Sequence, residues 1–430
     1  MAGEWTIRKI GSLGRVITGK TPSTADAGNF NGPYPFITIP DLDGRVVIDR
    51  AERTLSEKGA EIMRSCLLPP GAVMMSCIAT VGKCGITAKP SFTNQQINSV
   101  IPNDETDPRF LYYVFTQLGH ELEAAGGGGS VYTNVSKSRF AEIDTSIPVD
   151  LHEQRAIAHI LGTLDDKIEL NRRMNETLEA IARGLFKSWF VDFDPVRAKA
   201  EGRDPCLPKP IANLFPDSFE DSELGEIPKG WKVGKLGDVL AQRVERCIAS
   251  SETAARPYVP IDCISPRSLF LTERKSGDEA QSSLTKFYKG DLLFGAMRPY
   301  FHKVCIAPFD GTTRTTAFVL IPKAKEDFAF ATLLLHHPDT IDYATRHSTG
   351  STIPYAVWVG SLEEMSVIVP PSAVRIAFNM TVRPILDRIP VPHFQSKTLA
   401  TLRDTLLLKL ISGEIRIIED VGRFHGRSTT

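Results

Sequence analysis

From Ile157 onward the apolar residues fall three or four positions apart: Ile157, Leu161, Leu164, Ile168, Leu178, Ala182, Leu185 and Trp189. That spacing predicts a helix packed along a seam on another helix, in the manner of a coiled coil. Asn171 and Asn175 interrupt the seam with amides, which weaken such packing but fix its register and partner. Asp150 and Glu153 have the spacing of a capping box at the helix start, and Asp194-Pro195 marks its end. A helix from Leu151 to Phe193 would reach roughly 50–60 Å, long for one compact domain. A long core helix is the competing reading. Met174, Leu178, Ile181 and Leu185 are expected inside the helix pair. Asp165, Glu169, Arg172 and Arg173 are expected outside, on a partner-facing or a plainly solvated face.

Before this helix the pattern is short and mixed. Trp5 to Leu13, Pro35 to Ile39, Ala72 to Met75 and Ile97 to Pro102 read as strands separated by turn residues. Arg109 to Leu122 has helical spacing through Phe110, Tyr113, Val114, Leu118 and Leu122. Gly126-Gly127-Gly128-Gly129 is a loop by composition. After the long helix, a stretch rich in proline and acid carries Pro205, Pro208, Pro210 and Pro216.

At Gly230 the pattern starts again. Trp231 to Val239 echoes Trp5 to Leu13, at an offset of 226 residues. Tyr288 to Phe294 echoes Pro69 to Met75. Lys303 and Ile306 fall on Lys83 and Ile86, Ile321-Pro322 on Ile101-Pro102, and Gly350-Ser351 on Gly129-Ser130, at offsets of 219–221. Adding 221 to the seam positions lands on Phe378, Ile385, Ile389, Leu399, Leu406 and Leu410, so the helix recurs too. Pro384, Pro390 and Pro392 should kink or break this second helix. A repeat of such long period argues for two copies of one unit and a pseudo-twofold molecule.

The fold expected is therefore α+β: two mixed α/β globules held apart by two long antiparallel helices. The boundaries are 1–150 for the first globule, 151–194 for the first helix and 195–229 for the linker. The second globule takes 230–370, the second helix 371–416 with its break near 384–392, and a tail 417–430.

Composition narrows the functional classes. The 430 residues suffice for two or three domains, with an ordinary 42% hydrophobic content. No apolar run is long enough to span a membrane, and Met1-Ala-Gly-Glu-Trp5 lacks the layout of a signal peptide. The seven cysteines contain no CxxC pair, which fits a reduced, cytoplasmic protein without structural zinc. A net charge of -1 counts against nonspecific nucleic-acid binding, though not against local basic patches.

Several stretches resemble one known family, the specificity subunits of type I restriction-modification systems. They are Gly19-Lys-Thr-Pro-Ser23, Ile147-Pro-Val-Asp-Leu-His-Glu-Gln154, Gly225-Glu-Ile-Pro-Lys-Gly-Trp231 and, most specifically, Leu402-Arg-Asp-Thr-Leu-Leu-Leu-Lys-Leu-Ile-Ser-Gly-Glu-Ile415. The resemblance covers nearly the whole chain; the prolines of the second helix depart from it. It implies two target-recognition domains, each reading half of a split target in double-stranded DNA, with the helices as a ruler between them. It also implies two docked methyltransferase subunits that modify adenine, and restriction subunits that join through the complex and use ATP. Half-sites about one turn apart, roughly 34 Å, suit two readers held at a fixed separation.

Little else carries chemistry. Gly14-Arg-Val-Ile-Thr-Gly19-Lys20-Thr21 fits the phosphate-loop pattern, but Pro22 follows where a helix should begin, so a DNA-facing loop is the better reading. Asn31-Gly-Pro-Tyr34 approaches an amino-methyltransferase motif with glycine in place of its first proline, and no glycine-rich cofactor loop accompanies it. The nine histidines show no metal-binding spacing. The chain is expected to be non-catalytic by itself, without cofactor or metal.

For DNA contact the candidates are Lys20, Thr21, Lys83, Gln95, Gln96 and Tyr132 in the first globule. In the second they are Arg298, Tyr300, His302, Lys303, Ser351 and Thr352. Paired amides suit adenine, but Gln95 and Gln96 serve equally as turn caps. The Arg298 to Lys303 cluster reads as well as a solvated charged strand. The Gly-Ser loops offer backbone to phosphate. A coiled-coil scaffold carrying two binding domains with no DNA role is the alternative.

Overall fold

The computed structural model describes residues 4–126, 135–281, 283–350 and 352–417. Two compact units emerge, one from residues 1–170 with 396–430 and one from 171–395. Each unit thus contains part of both long helices.

In the first unit, Trp5–Lys9 pairs antiparallel with Asp144–Pro148. A five-stranded sheet follows in the order Gly14–Thr18, Ile97–Pro102, Val73–Ser76, Cys84–Thr87, Val47–Ile48. Arg53–Leu55, Phe30–Ile37 and Phe92–Thr93 make a second sheet of three strands. One core, with Phe36, Ile37, Leu68, Met74 and Phe92, forms around this smaller sheet. Another places Phe110, Leu111, Tyr113, Val114 and Phe115 of the helix Pro108–Gly126 against Val73, Met75 and Ile86. Asp107 starts that helix, its Oδ1 accepting from the N–H groups of Arg109 at 3.0 Å and Phe110 at 2.9 Å.

The second unit pairs Lys232–Lys235 antiparallel with Ser366–Val369. Its four-stranded sheet runs Leu240–Gln242, Ala317–Pro322, Leu292–Gly295, Val304–Ile306. A three-stranded sheet comprises Arg246–Ile248, Ser283–Phe287 and Gly311–Arg314. The helices Phe328–His336 and Pro338–Arg346 complete it.

The first long helix runs Leu151–Phe190. Asp150 Oδ1 accepts from the His152 N–H at 2.9 Å, but the expected capping box does not close. Glu153 turns away, and its Oε1 accepts from the Trp5 indole at 3.0 Å. The helix also stops sooner than Asp194-Pro195. Phe193 turns left-handed with φ 56, and Asp194-Pro195 opens a new helix, Asp194–Ala200. Proline suits that first turn because its missing N–H would have had no helical partner there. The stretch after it is not featureless either, since Phe219–Ser222 and Gly225–Pro228 form a hairpin.

The second long segment comprises two helices, Ser372–Arg388 and Pro390–Ile411, meeting at Ile389. Pro384 lies inside the first, whereas Pro390 and Pro392 occupy the opening turn of the second, where proline is tolerated. In the second unit Asn171 Nδ2 donates to the Pro392 carbonyl at 3.3 Å and to Gln395 Oε1 at 3.1 Å. Further along, Trp189 and Phe378 rings meet at 5.3 Å, so these segments run antiparallel. In the first unit Glu153 faces Arg416 and Asp165 faces Arg403, the same sense.

Burial follows the seam in part. Ile157, Leu161 and Ile389 are buried, while Leu178, Leu185 and Ile385 pack half-buried on the core of the second unit. Leu164, Ile168, Leu399 and Leu406 are half-buried. Beyond the break, Leu407, Leu410 and Ile411 are buried in the core of the first unit, and Leu406 packs half-buried against it. Two expectations are corrected. Ile181 is 44% exposed, because Ala182 and Phe186 form the inner face there. Asp165 is buried, accepting from Tyr113 Oη at 2.5 Å and pairing with Arg403 Nη1 at 2.6 Å. Burial and this carboxylate push the Tyr113 hydroxyl far above its ordinary value, so it remains a donor.

Candidate nucleic-acid interface

In the first unit the strand register gathers residues far apart in sequence. Thr18 lies opposite Asn98, Asn98 opposite Met75, and Met75 opposite Cys84. The segments leading to Lys20, Gln95, Gln96 and Lys83 therefore all leave one end of the sheet. The Gly19 N–H bonds the Ile97 carbonyl at 3.2 Å, and the Lys20 N–H bonds Thr93 at 3.1 Å. A Cβ at Gly19 would sit 2.2 Å from the Thr93 and Asn94 carbonyl oxygens, so only glycine permits this approach. Thr21 Oγ1 then donates to Gln95 Oε1 at 2.7 Å.

Lys20, Thr21, Gln95 and Lys83 are exposed. Gln96 behaves differently. Its Oε1 accepts from Asn94 Nδ2 at 3.0 Å, and its N–H donates to Asn94 Oδ1 at 3.1 Å, as a turn residue does. No helix follows Gly19-Lys20-Thr21; the next helical turn is Ala27–Asn29. The phosphate-loop match thus lacks the helix that its chemistry requires. Asn31-Gly-Pro-Tyr34 lies within the strand Phe30–Ile37, at a shift in its pairing register.

The second unit repeats this convergence with other side chains. Gly295 lies opposite Ala317, and Phe294 opposite Val304, so residues 296–303 also leave one end of their sheet. The Arg298 N–H donates to the Pro354 carbonyl at 2.8 Å, and Ala356 N–H to Ala296 at 2.9 Å. These bonds bring residues 354–356 beside Arg298. Arg298 and His302 both hold left-handed backbone, φ 52 and 53, at either side of the short turn Pro299–Phe301. Such conformations in residues other than glycine persist only where surrounding structure holds them.

Arg298, Tyr300 and Thr352 are exposed, and the Tyr300 ring lies beside Phe301 with ring centres 4.8 Å apart and planes tilted by 56°. Lys303 is half-buried with Nζ donating to the Ile261 carbonyl at 2.8 Å. His302 shares a 2.8 Å bond between Nε2 and the His336 carbonyl, and burial lowers its pKa. Burial pushes His336 down to about 3, so both rings are neutral near pH 7. Tyr132 and Ser351 lie outside the described residues. Arg267 went unnoticed in the sequence. It is exposed, left-handed at φ 60, and its N–H donates to the His302 carbonyl at 2.8 Å. Nothing local marks an isolated arginine after Ser265-Pro266; only the fold sets it beside this loop.

Among the described residues no His, Cys, Asp and Glu cluster has the makings of a metal site, and all seven cysteines are free. No described helix is long and apolar enough to cross a membrane.

The architecture is a mixed α/β one with long helices, and it is similar to a solved structure of a type I restriction-modification S subunit from M. genitalium. That likeness has a TM-score of 0.57 at 16% identity and covers 95% of this chain and 96% of the other. Residues 2–180 match the family described as the type I restriction modification DNA specificity domain. Across 97% of this chain and 94% of the relative, the sequence is 30% identical to the type I restriction enzyme MjaIX specificity subunit of Methanocaldococcus jannaschii. It is 24% identical to the EcoDI specificity subunit of Escherichia coli, over 86% of this chain and 78% of that one. The chain belongs to the family of type I restriction enzyme specificity subunits.

Proposed function

We propose that this chain reads DNA for a type I restriction-modification complex, each unit reading one half of a bipartite target. The observation that carries the reading is the shared layout of exposed polar side chains. Lys20, Thr21, Lys83 and Gln95 leave one end of the first sheet, and Arg298, Tyr300 and Thr352 leave the matching end of the second. The strand order beneath them supports two copies of one unit. Gly14–Thr18, Ile97–Pro102, Val73–Ser76 and Cys84–Thr87 have Leu240–Gln242, Ala317–Pro322, Leu292–Gly295 and Val304–Ile306 as their counterparts.

Arginine and lysine bind phosphate or guanine, and the Gln95 amide suits adenine, once it exchanges its Thr21 bond for a base. The long helices set the spacing between half-sites and offer a docking face to methyltransferase subunits, with restriction subunits joining through the complex. Methyl transfer and cleavage belong to those partners.

A methylation map tests this. Cells expressing the chain with its neighbouring methyltransferase should gain a split motif absent with the methyltransferase alone. Exchanging residues 1–150 for those of a relative should alter one half of that motif. No new methylation from soluble, associated proteins would refute the reading. The net charge of -1 favours a second one, a scaffold of two binding domains without a DNA role. Salt-insensitive behaviour with no DNA retention would support it.

A further inference from the structure

Tyr300 and Phe301 follow one another in the chain and both lie open to solvent, 49% and 45% exposed. A lone apolar side chain at a surface is ordinary, but here two rings stand together on a turn built to hold them. The strands Leu292–Gly295 and Val304–Ile306 carry the turn, closed at its base by the Gly295 N–H donating to the Lys303 carbonyl at 2.7 Å. Within it the Phe301 N–H donates to the Arg298 carbonyl at 3.0 Å and the His302 N–H to the Pro299 carbonyl at 2.8 Å, and Pro299 is buried. The backbone bonds from Arg298 to Pro354 and from Arg267 to His302 tie both flanks to neighbouring loops. The rings are thus presented by backbone already in place, and little ordering entropy remains to be lost on contact.

The two rings differ. Tyr300 lines a cavity together with Leu333 and Ile341, whereas Phe301 takes no part in that lining. Arg298 and Arg267 flank the turn, both exposed, and neither forms an ion pair among the described residues. An apolar ring between two unpaired guanidinium groups suits duplex DNA, whose phosphates answer the cations while its base stack answers the ring. A purely apolar partner would leave both cations unanswered. In the first unit the loop between Val73–Ser76 and Cys84–Thr87 has a similar base, with the Ser76 N–H donating to the Lys83 carbonyl at 2.8 Å. It is left-handed at two positions as well, φ 64 at Ala79 and 94 at Gly82, but carries Thr80 and Val81 at its tip. A Cβ at Gly82 would sit 2.7 Å from Gly119 Cα, so that loop lies close on the helix Pro108–Gly126. The aromatic tip therefore distinguishes the second unit from the first.

We propose that Phe301 is a wedge that enters one base step of the half-site read by the second unit. Tyr300 braces it, and Arg267 and Arg298 meet the adjoining phosphates. The inference rests on the DNA-reading role and adds a deformation to it, so that this half-site is selected in part by how readily one step unstacks.

Fluorescence anisotropy of the chain with its methyltransferase, on duplexes carrying the split motif that the methylation map yields, tests it. Phe301→Ala should weaken binding by roughly five- to a hundredfold, the range for loss of one base–aromatic contact. Phe301→Tyr, which keeps the ring, should bind within about threefold of wild type. A nick placed in turn at each step of the second half-site keeps every base pair but lowers the cost of unstacking. One nicked duplex should bind wild type at least about fivefold more tightly than the intact one, and Phe301→Ala should show no such gain. Unchanged affinity in Phe301→Ala, or a gain from the nick that survives in it, overturns the wedge and leaves the DNA-reading role standing. A Phe301→Ala chain that no longer associates with its methyltransferase makes the ring a protein contact and overturns the wedge as well. A wild-type complex that yields no split motif overturns both.

Discussion

Replacing Arg403 by methionine puts the packing of the two long helices in the first unit to a direct test. The Arg403 side chain is 22% exposed and that of Asp165 only 4%. Their 2.6 Å bond is accompanied by the 2.5 Å bond from the Tyr113 hydroxyl to the other carboxylate oxygen. Methionine has nearly the length of arginine's aliphatic stem, so packing survives while the charge is lost. Asp165 is then left buried with one neutral donor. Breaking a buried pair from one side costs about 3–5 kcal/mol, most of it the desolvation of the abandoned charge. Removing both charges, with Asp165→Leu and Arg403→Met together, should cost far less, because nothing buried is left unpaired. Hydrogen exchange read by mass spectrometry on peptides from residues 151–170 measures the effect locally. A loss of that size lowers protection by roughly a hundred- to a few-thousandfold, and the double variant should recover most of it. Protection in Arg403→Met within threefold of wild type would refute the argument, as would a double variant worse than the single.

Other consequences are as definite. Phe378 lies 5.3 Å from Trp189 and 4.7 Å from Phe190 between ring centres, so Phe378→Ala should destabilise the second unit by about 3–5 kcal/mol; a urea titration followed by tryptophan emission checks this. Because the folded pKa of His336 is depressed from 6.5 to about 3, its effect on stability is absent above pH 6.5. It grows as pH falls from 6.5 towards 3, since the unfolded chain takes up a proton that the folded chain refuses, at up to about 1.4 kcal/mol per pH unit. Thermal unfolding of wild type against His336→Gln should show a steeper slope in the wild type, since His302 and His337, also lowered, contribute to both. Gly19→Ala forces a methyl onto two carbonyl oxygens and should abolish methylation of one half-site while the chain still binds its methyltransferase. Lys20→Ala should weaken DNA binding at low salt and reduce the slope of log affinity against log salt by about one.

The elements legible in the sequence are those whose signal is periodic and local. Ile157 and Leu161 stand out because every third or fourth residue shares a helix face, and the helix around Phe110 for the same reason. Pro390 and Pro392 announced a break, since proline lacks the N–H that a helix interior uses. The misreadings come where the deciding partner is remote. Asp165 looks like a solvent-facing carboxylate until Arg403 and Tyr113 are brought to it, and Glu153 suits a cap until the Trp5 indole competes for it. Beyond the break at Ile389 the mapped positions Leu406 and Leu410 still pack on the core of the first unit, joined there by Leu407, which the offset does not mark. In the candidate site, residue type singled out Lys20, Thr21 and Gln95 separately; only the strand register explains why they share one surface. Gln96 shows the limit of such reasoning, because its amide is spent on its own turn.

Trp5, Glu153 and Arg416 meet at one carboxylate, with the Arg416 guanidinium 5.0 Å from the Trp5 ring. The first strand and the residues after the last helix are thereby clasped to the same point, and the path of the backbone almost makes a closed loop. A closed loop has no privileged place to be opened. A gene that joined residue 417 to residue 4 through a short flexible linker, and opened the chain at the exposed Arg203–Asp204 bond instead, would preserve the pairings of the first unit described here. The order in which the two units are synthesised is then a matter of genetic arrangement, and reversing it leaves the contacts of the first unit's clasp in place.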